Sequence, residues 1–228
     1  MTTSATVAAF DLDGTLTEGG SVFKWLGHVA GRRQTYAAAA RLALPLTVGG
    51  LRSGPYADHA KERLFRALLT GRSEAEVADE SRLFAHEHLE TKIRSLTHDR
   101  LRWHLRAGHD VVLVSASPEL YVRVVAEEVR AHGALGTRLA VDPLGQLSGG
   151  YLGQNCRGEE KMRRLEEWIR ARHGDGAVTI YAYGNSRGDR RMLRGATYPY
   201  NVGHLGAFGA LRRYPRLREA VPTDAPTA

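Results

Sequence analysis

At 228 residues the chain is long enough to bury a substantial core, and its 43% hydrophobic and 25% charged content is ordinary for a globular protein. One cysteine, Cys156, excludes an intrachain disulfide and a zinc cluster built from cysteines, which suits a reducing compartment. The net charge of +7 raises the question of a nucleic-acid or anionic-membrane partner, but the basic residues are scattered arginines with only four lysines, Lys24, Lys61, Lys92 and Lys161. Without a basic stripe, no nucleic-acid partner is expected. The amino terminus lacks the basic region and long apolar stretch of a secretory signal, so cytoplasmic residence is the expectation.

Residues 7–10 form an apolar run that reads as a buried strand, and it leads into Asp11-Leu12-Asp13-Gly14-Thr15. Residues two apart on an extended chain point the same way, so Asp11 and Asp13 can face one pocket while Leu12 points elsewhere. In an open α/β sheet that pocket lies outside the carboxyl ends of the strands. The competing reading is an ordinary Asp-Gly surface turn. From residue 16 to about 94 the apolar spacing becomes helical, and that change is the main domain clue. Helices are expected near residues 22–26, over 32–44 with a stop at Pro45, and over 56–69 and 74–93, with a loop at 49–55. The apolar run over residues 36–48 is too short, and is broken by Arg41 and Pro45, to span a bilayer. It is either a packed helix or an interfacial element that admits a lipid-like substrate.

The α/β pattern returns at residue 94 with a helix through Leu101 and Trp103 that Gly108 stops. Residues 111–114 are four consecutive aliphatics, which suits a parallel strand covered on both faces. Ser115 ends that strand, and Ser117 is expected to cap a helix beginning at Pro118. Residues 135–141 read as a third strand, 142–150 as a hairpin, 178–183 as a fourth strand and 198–202 as a last one. Lys161 opens a helix between the third and fourth, Met192 and Leu193 belong to another, and residues 205–211 to a final one. The tail, residues 222–228, is expected to be disordered. After the fourth strand comes Gly184-Asn185-Ser186-Arg187-Gly188-Asp189, in which Ser186 and Asp189 have the spacing of a capping box.

Taken in this order, the Asp11-Leu12-Asp13-Gly14-Thr15 stretch, Ser115 at a strand end, Lys161 at a helix start and the Asn185 to Asp189 loop resemble the haloacid dehalogenase (HAD) superfamily. Within it, the helical stretch after the first strand and the Val114-Ser115-Ala116-Ser117-Pro118-Glu119 and Gly184-Asn185-Ser186-Arg187-Gly188-Asp189 stretches resemble subfamily IB, the phosphoserine phosphatase-like hydrolases. The resemblance implies a doubly wound parallel α/β core from residues 1–16 and 95–228, with a helical C1-type cap, residues 17–94, inserted after the first strand. It implies Mg²⁺-dependent hydrolysis of a phosphate monoester. Asp11 would be the nucleophile that forms an aspartyl phosphate, and Asp13 the acid and then base. Ser115 and Lys161 would bind the substrate phosphate, and Asp11, Asp13, Asn185 and Asp189 would hold the metal. Ser115 alone could be a polar strand end, and Lys161 alone a solvated residue.

Relatives carry an aspartate where this chain has Asn185, a neutral oxygen donor that should hold Mg²⁺ more weakly. That departure motivates the alternative of a phosphate-ligand sensor that turns nothing over. Phosphoserine itself is disfavoured, since Gly20 stands where those phosphatases carry a glutamate, and Gly188-Asp189 replaces their Asn-Asp. A small phosphate ester, lipid-like or otherwise, is the substrate class implied.

Overall fold

The computed structural model describes residues 5–42, 55–203 and 211–221. Its centre is a five-stranded sheet of β1 (Ala5–Phe10), β2 (Asp110–Pro118), β3 (Gly133–Thr137), β6 (Val178–Gly184) and β7 (Tyr198–Asn201), in the order β3-β2-β1-β6-β7. Every pairing in it is parallel. Parallel neighbours require crossovers, and these are supplied by helices that cover both faces. The alternation along β1 shows the two coats directly. Val7 and Ala9 pack with Val112, Val114, Leu165 and Leu193 on one face, whereas Ala8 and Phe10 pack with Leu113, Trp25, Phe65 and Tyr121 on the other.

The second of those faces is covered by the helices that follow the first strand: α1 (Val22–Val29), α2 (Arg32–Arg41), α3 (Pro55–Leu69) and α4 (Glu74–Lys92). Their apolar stripes, including Leu64, Leu69, Val77 and Phe84, join the same cluster as the sheet residues, so this layer and the core share one apolar interior. The remaining helices are α5 (Ser95–Arg106), α6 (Glu119–Glu128), α7 (Glu159–His173) and α8 (Arg190–Gly195). A hairpin of β4 (Leu139–Val141) and β5 (Leu147–Tyr151) stands outside the main sheet and ties the layers together. Gly149 there has φ +71°, and a Cβ on it would lie 2.5 Å from the Arg66 Cα, so only glycine allows β5 to lie on α3.

Three expectations change. The strand foreseen over residues 135–141 is two strands, because Thr137 is pulled aside: its hydroxyl lies within hydrogen-bond distance of Ala116 O and Asn155 Oδ1, both at 2.6 Å. The chain then enters the β4–β5 hairpin, whose turn is closed by Asp142 Oδ1 accepting from the Leu144 and Gln146 amides. Ser117 does not cap a helix, since β2 continues through Pro118 and the Ser117 side chain turns to the site instead. Leu211 lies in a turn rather than in the final helix expected over 205–211. The rest of that helix, the loop over 49–54, Pro45 and the tail lie outside the described residues. Among the described residues, no helix is long and apolar enough to cross a membrane.

His104 on α5 is fully buried, with Nε2 2.8 Å from the Tyr183 hydroxyl and Nδ1 2.8 Å from His109 Nδ1. Burial, with help from His109 and Arg100, pushes its pKa down from 6.5 to about 2. The unfolded chain therefore binds a proton that the folded chain refuses, so His104 contributes stability above pH 6.5 that is lost progressively as the pH falls towards 2. Thermal melts between pH 8 and pH 5 should show a falling midpoint, and His104→Gln should flatten that fall. An equally steep decline in the variant would assign the effect to other groups.

Candidate active site

The strand β1 stops at Phe10, but the Asp11 amide still donates to Tyr183 O at 2.9 Å and continues the alignment with β6. The chain then turns sharply around the Leu12 carbonyl, which accepts from the amides of Thr15, Leu16 and Thr17. Gly14, at φ +81°, makes that turn possible, and a Cβ there would lie 1.9 Å from Asn185 Nδ2. Asp11 therefore sits where the strand alignment ends, and Asp13 lies inside the turn that follows. Each carboxylate is held by its own partners.

Asp11 is buried, and its Oδ1 accepts from Lys161 Nζ at 2.7 Å and its Oδ2 from Thr15 Oγ1 at 2.8 Å. Lys161, in the first turn of α7, is only 2% exposed and also donates to Asp189 Oδ1 at 2.5 Å. One ammonium thus bridges two buried carboxylates from opposite ends of the sequence. The other oxygen of Asp189 accepts from the Asn185 amide, the Ser186 amide and the Ser186 hydroxyl at 2.8–3.2 Å. The capping box read from the sequence is present, and both Asp189 oxygens are engaged. Asp13 Oδ1 accepts from the Ser21 amide at 2.6 Å, and its Oδ2 from the Ser117 hydroxyl at 2.5 Å. Ser115 is buried at the end of the aliphatic run of β2, where its hydroxyl accepts from the Ser117 amide at 3.1 Å. Asn185 reaches across from the end of β6 and donates through Nδ2 to the Asp13 carbonyl at 3.0 Å.

Burial and the nearby charge of Asp189 raise the Asp11 carboxyl to about 7, against the pull of Lys161 and Thr15. For Lys161, burial works against the charge, yet the two carboxylates outweigh it and hold the ammonium above its ordinary value. A second cation stands nearby: Lys61 of α3 donates to Ala116 O at 2.5 Å and to Asn155 Oδ1 at 3.2 Å. Burial lowers its pKa to about 8, although Asp58 and Asp13 act the other way.

The sequence reading did not single out Lys61, Ser117 or Thr15 as site residues. Thr15 was visible inside its own motif, and Ser117 stands two residues beyond Ser115, the spacing that puts both on one side of a strand. Lys61 carried no signal beyond the rarity of lysine, because the contact joins residues far apart in the chain.

An aspartate pair on a turn after the central strand, a lysine bridging one of them to a distal aspartate, and a serine ending the neighbouring strand together form the site. Residues 8–194 match the haloacid dehalogenase-like hydrolase family. The chain belongs to that family. Among curated relatives of this HAD-like hydrolase, Protein CicA of Caulobacter vibrioides is 33% identical over 189 residues, which cover 82% of this chain and 81% of CicA. A histidinol-phosphatase of Neisseria meningitidis is 25% identical over 199 residues, 86% of this chain and 89% of that protein. A solved phospho-aspartyl intermediate analogue of phosphoserine phosphatase shares the fold, with TM-score 0.62, 15% identity and coverage of 95% of each chain. The family makes this chain a haloacid dehalogenase-like hydrolase, and the solved structure shows that the fold is shared.

Proposed function

We propose that this HAD-like hydrolase cleaves a phosphate monoester through an aspartyl phosphate on Asp11. The observation that carries the reading is the Lys161 bridge, which aims one Asp11 oxygen and leaves a buried cation where a phosphoryl group would gather negative charge. Asp11 attacks phosphorus, the bond from phosphorus to the ester oxygen breaks, and Asp13 delivers a proton to that departing oxygen. Asp13 then takes a proton from the water that hydrolyses the acyl phosphate. Ser117 suits both halves, because a hydroxyl can donate to a carboxylate or accept from a carboxylic acid. Ser115 and the amides that follow it bind a nonbridging oxygen, and residues 17–94 act as the cap over this chemistry.

The donors fit a hard divalent cation such as Mg²⁺. They are oxygens, and burial, followed by the charge of Asp189, disfavours the ionised Asp11 carboxylate, a penalty that a bound cation would relieve. Among the described residues no three His, Cys, Asp or Glu side chains form a metal-holding group. Asp11, Asp13 and the Asn185 amide would hold the ion, whereas Asp189 is committed to Lys161 and its own loop. When bound, the ion neutralises charge on the phosphate and its ligands.

The test is hydrolysis of an aryl phosphate by the purified chain with Mg²⁺ and with EDTA. Turnover that requires the metal supports the reading, and vanadate binding without turnover favours a phosphate sensor. Asn185→Asp adds an ionised oxygen, so its Mg²⁺ titration midpoint should fall below that of the wild type. An unchanged or higher midpoint would remove Asn185 from the metal shell.

A further inference from the structure

Where β2 reaches the site its register against β3 slips. Val114 pairs with Leu135 and Pro118 with Thr137, so a step of four residues in one strand matches a step of two in the other. A bulge of this kind re-aims side chains, and the residues inside it are Ser115, Ala116 and Ser117.

One peptide group within the bulge is held at both ends. The Ala116 carbonyl accepts from Lys61 Nζ at 2.5 Å, and the amide across the same peptide bond, that of Ser117, donates to the Ser115 hydroxyl at 3.1 Å. A peptide group is planar, so holding its oxygen and its nitrogen fixes the backbone from which the Ser117 side chain departs. That side chain donates to Asp13 Oδ2 at 2.5 Å.

Lys61 is itself aimed by its surroundings. It crosses from α3 to the end of β2 with its ammonium 5.5 Å from the centre of the Phe65 ring. Asn155, only 7% exposed, accepts from Lys61 through Oδ1 at 3.2 Å and donates through Nδ2 to Asp58 Oδ1 at 2.5 Å. Asp58 precedes Lys61 by three residues on the same helix, so one face of α3 grips both ends of one amide. The Thr137 hydroxyl lies 2.6 Å from both Ala116 O and Asn155 Oδ1, and the Tyr151 hydroxyl donates to the Asp58 carbonyl at 3.3 Å. A lysine stem is flexible by nature, and here the network around Asn155 removes that freedom.

Resting on the reading of Asp13 as the acid that serves the departing oxygen, we propose that Lys61 is a positioning residue: it clamps the peptide between Ala116 and Ser117 and so aims the Ser117 hydroxyl at Asp13. Because Lys61 belongs to the helices that follow the first strand, proton delivery from Asp13 then depends on α3 being seated on the sheet. Displacing α3 takes the ammonium from the Ala116 carbonyl and the alignment from Ser117.

The test reads leaving-group dependence. The ratio kcat/KM covers the steps up to departure of the alcohol, and an alkyl alcohol needs a proton on its oxygen whereas p-nitrophenolate leaves without one. Lys61→Met should therefore lower kcat/KM for n-propyl phosphate by about tenfold or more relative to p-nitrophenyl phosphate. Ser117→Ala should show the same selective loss. Adding Lys61→Met to Ser117→Ala should cost less than about threefold further, because the lysine acts through the serine. Should Lys61→Met fail to fold, Lys61→Gln, whose donor is one atom too short for the carbonyl, carries the same comparison. A purely structural lysine would depress both esters alike, in step with a lower melting temperature. That result, or losses that simply multiply in the double variant, overturns the positioning role, while turnover by the wild type leaves the phosphatase reading standing. If the wild type hydrolyses neither ester, the phosphatase reading has failed and the positioning role falls with it.

Discussion

Asp11→Asn is expected to abolish turnover, by about 10⁴-fold or more, at every Mg²⁺ concentration, because an amide cannot form the acyl phosphate. The fold should survive. Asparagine has the shape of aspartate, and its amide oxygen can still accept from Lys161 or Thr15, the two donors that hold the carboxylate now. Burial and Asp189 already oppose ionisation of Asp11, so removing its charge relieves an unfavourable electrostatic contact while weakening one with Lys161. Initial rates on an aryl phosphate, with a thermal melt on the same sample, check both halves. A folded variant that retains even a hundredth of the wild-type rate would place the nucleophile elsewhere.

Lys161→Met should cost both stability and activity. The ammonium is the cation shared by Asp11 and Asp189, and removing one partner from a buried ionic cluster leaves uncompensated charge, worth about 3–5 kcal/mol. For a chain of this size that is a drop in melting temperature of roughly 10 °C. The drop should shrink as the pH is lowered and the abandoned carboxylates take up protons. Adding Asp189→Asn should recover part of the stability, because it removes one of the two stranded charges, and the two changes should therefore be non-additive. Activity should stay lost in the double variant, since the Lys161 ammonium no longer faces the phosphoryl group. Recovery of activity together with stability would reduce Lys161 to a structural residue.

Local chemistry made the core of this protein legible before its structure. The apolar runs in β1 and β2 must be buried on both faces, so they read as central parallel strands, and residues at their carboxyl ends were natural site residues. The capping box of Ser186 and Asp189 was visible for the same reason, since its hydrogen bonds span three residues. The alternation argument for Asp11 and Asp13 carried less far, because the strand ends before them and a turn around Leu12 orients each one.

What depended on distant contacts could not be read from the chain. Ser117 has the sequence context of a helix cap, but Asp13, 104 residues away, accepts its hydroxyl hydrogen and outcompetes the local use. Thr137 breaks a strand that propensity would continue, because Ala116 and Asn155 lie within its reach only once the sheet has formed. Lys61 likewise acquires its surroundings when the helices of residues 22–92 close on the sheet. The sequence by itself determined which chemistry the strand ends could support, because backbone periodicity and side-chain type are local properties. Tertiary structure alone decided which distant groups the buried polar side chains find as partners, because desolvation and hydrogen bonding depend on neighbours that chain order does not specify.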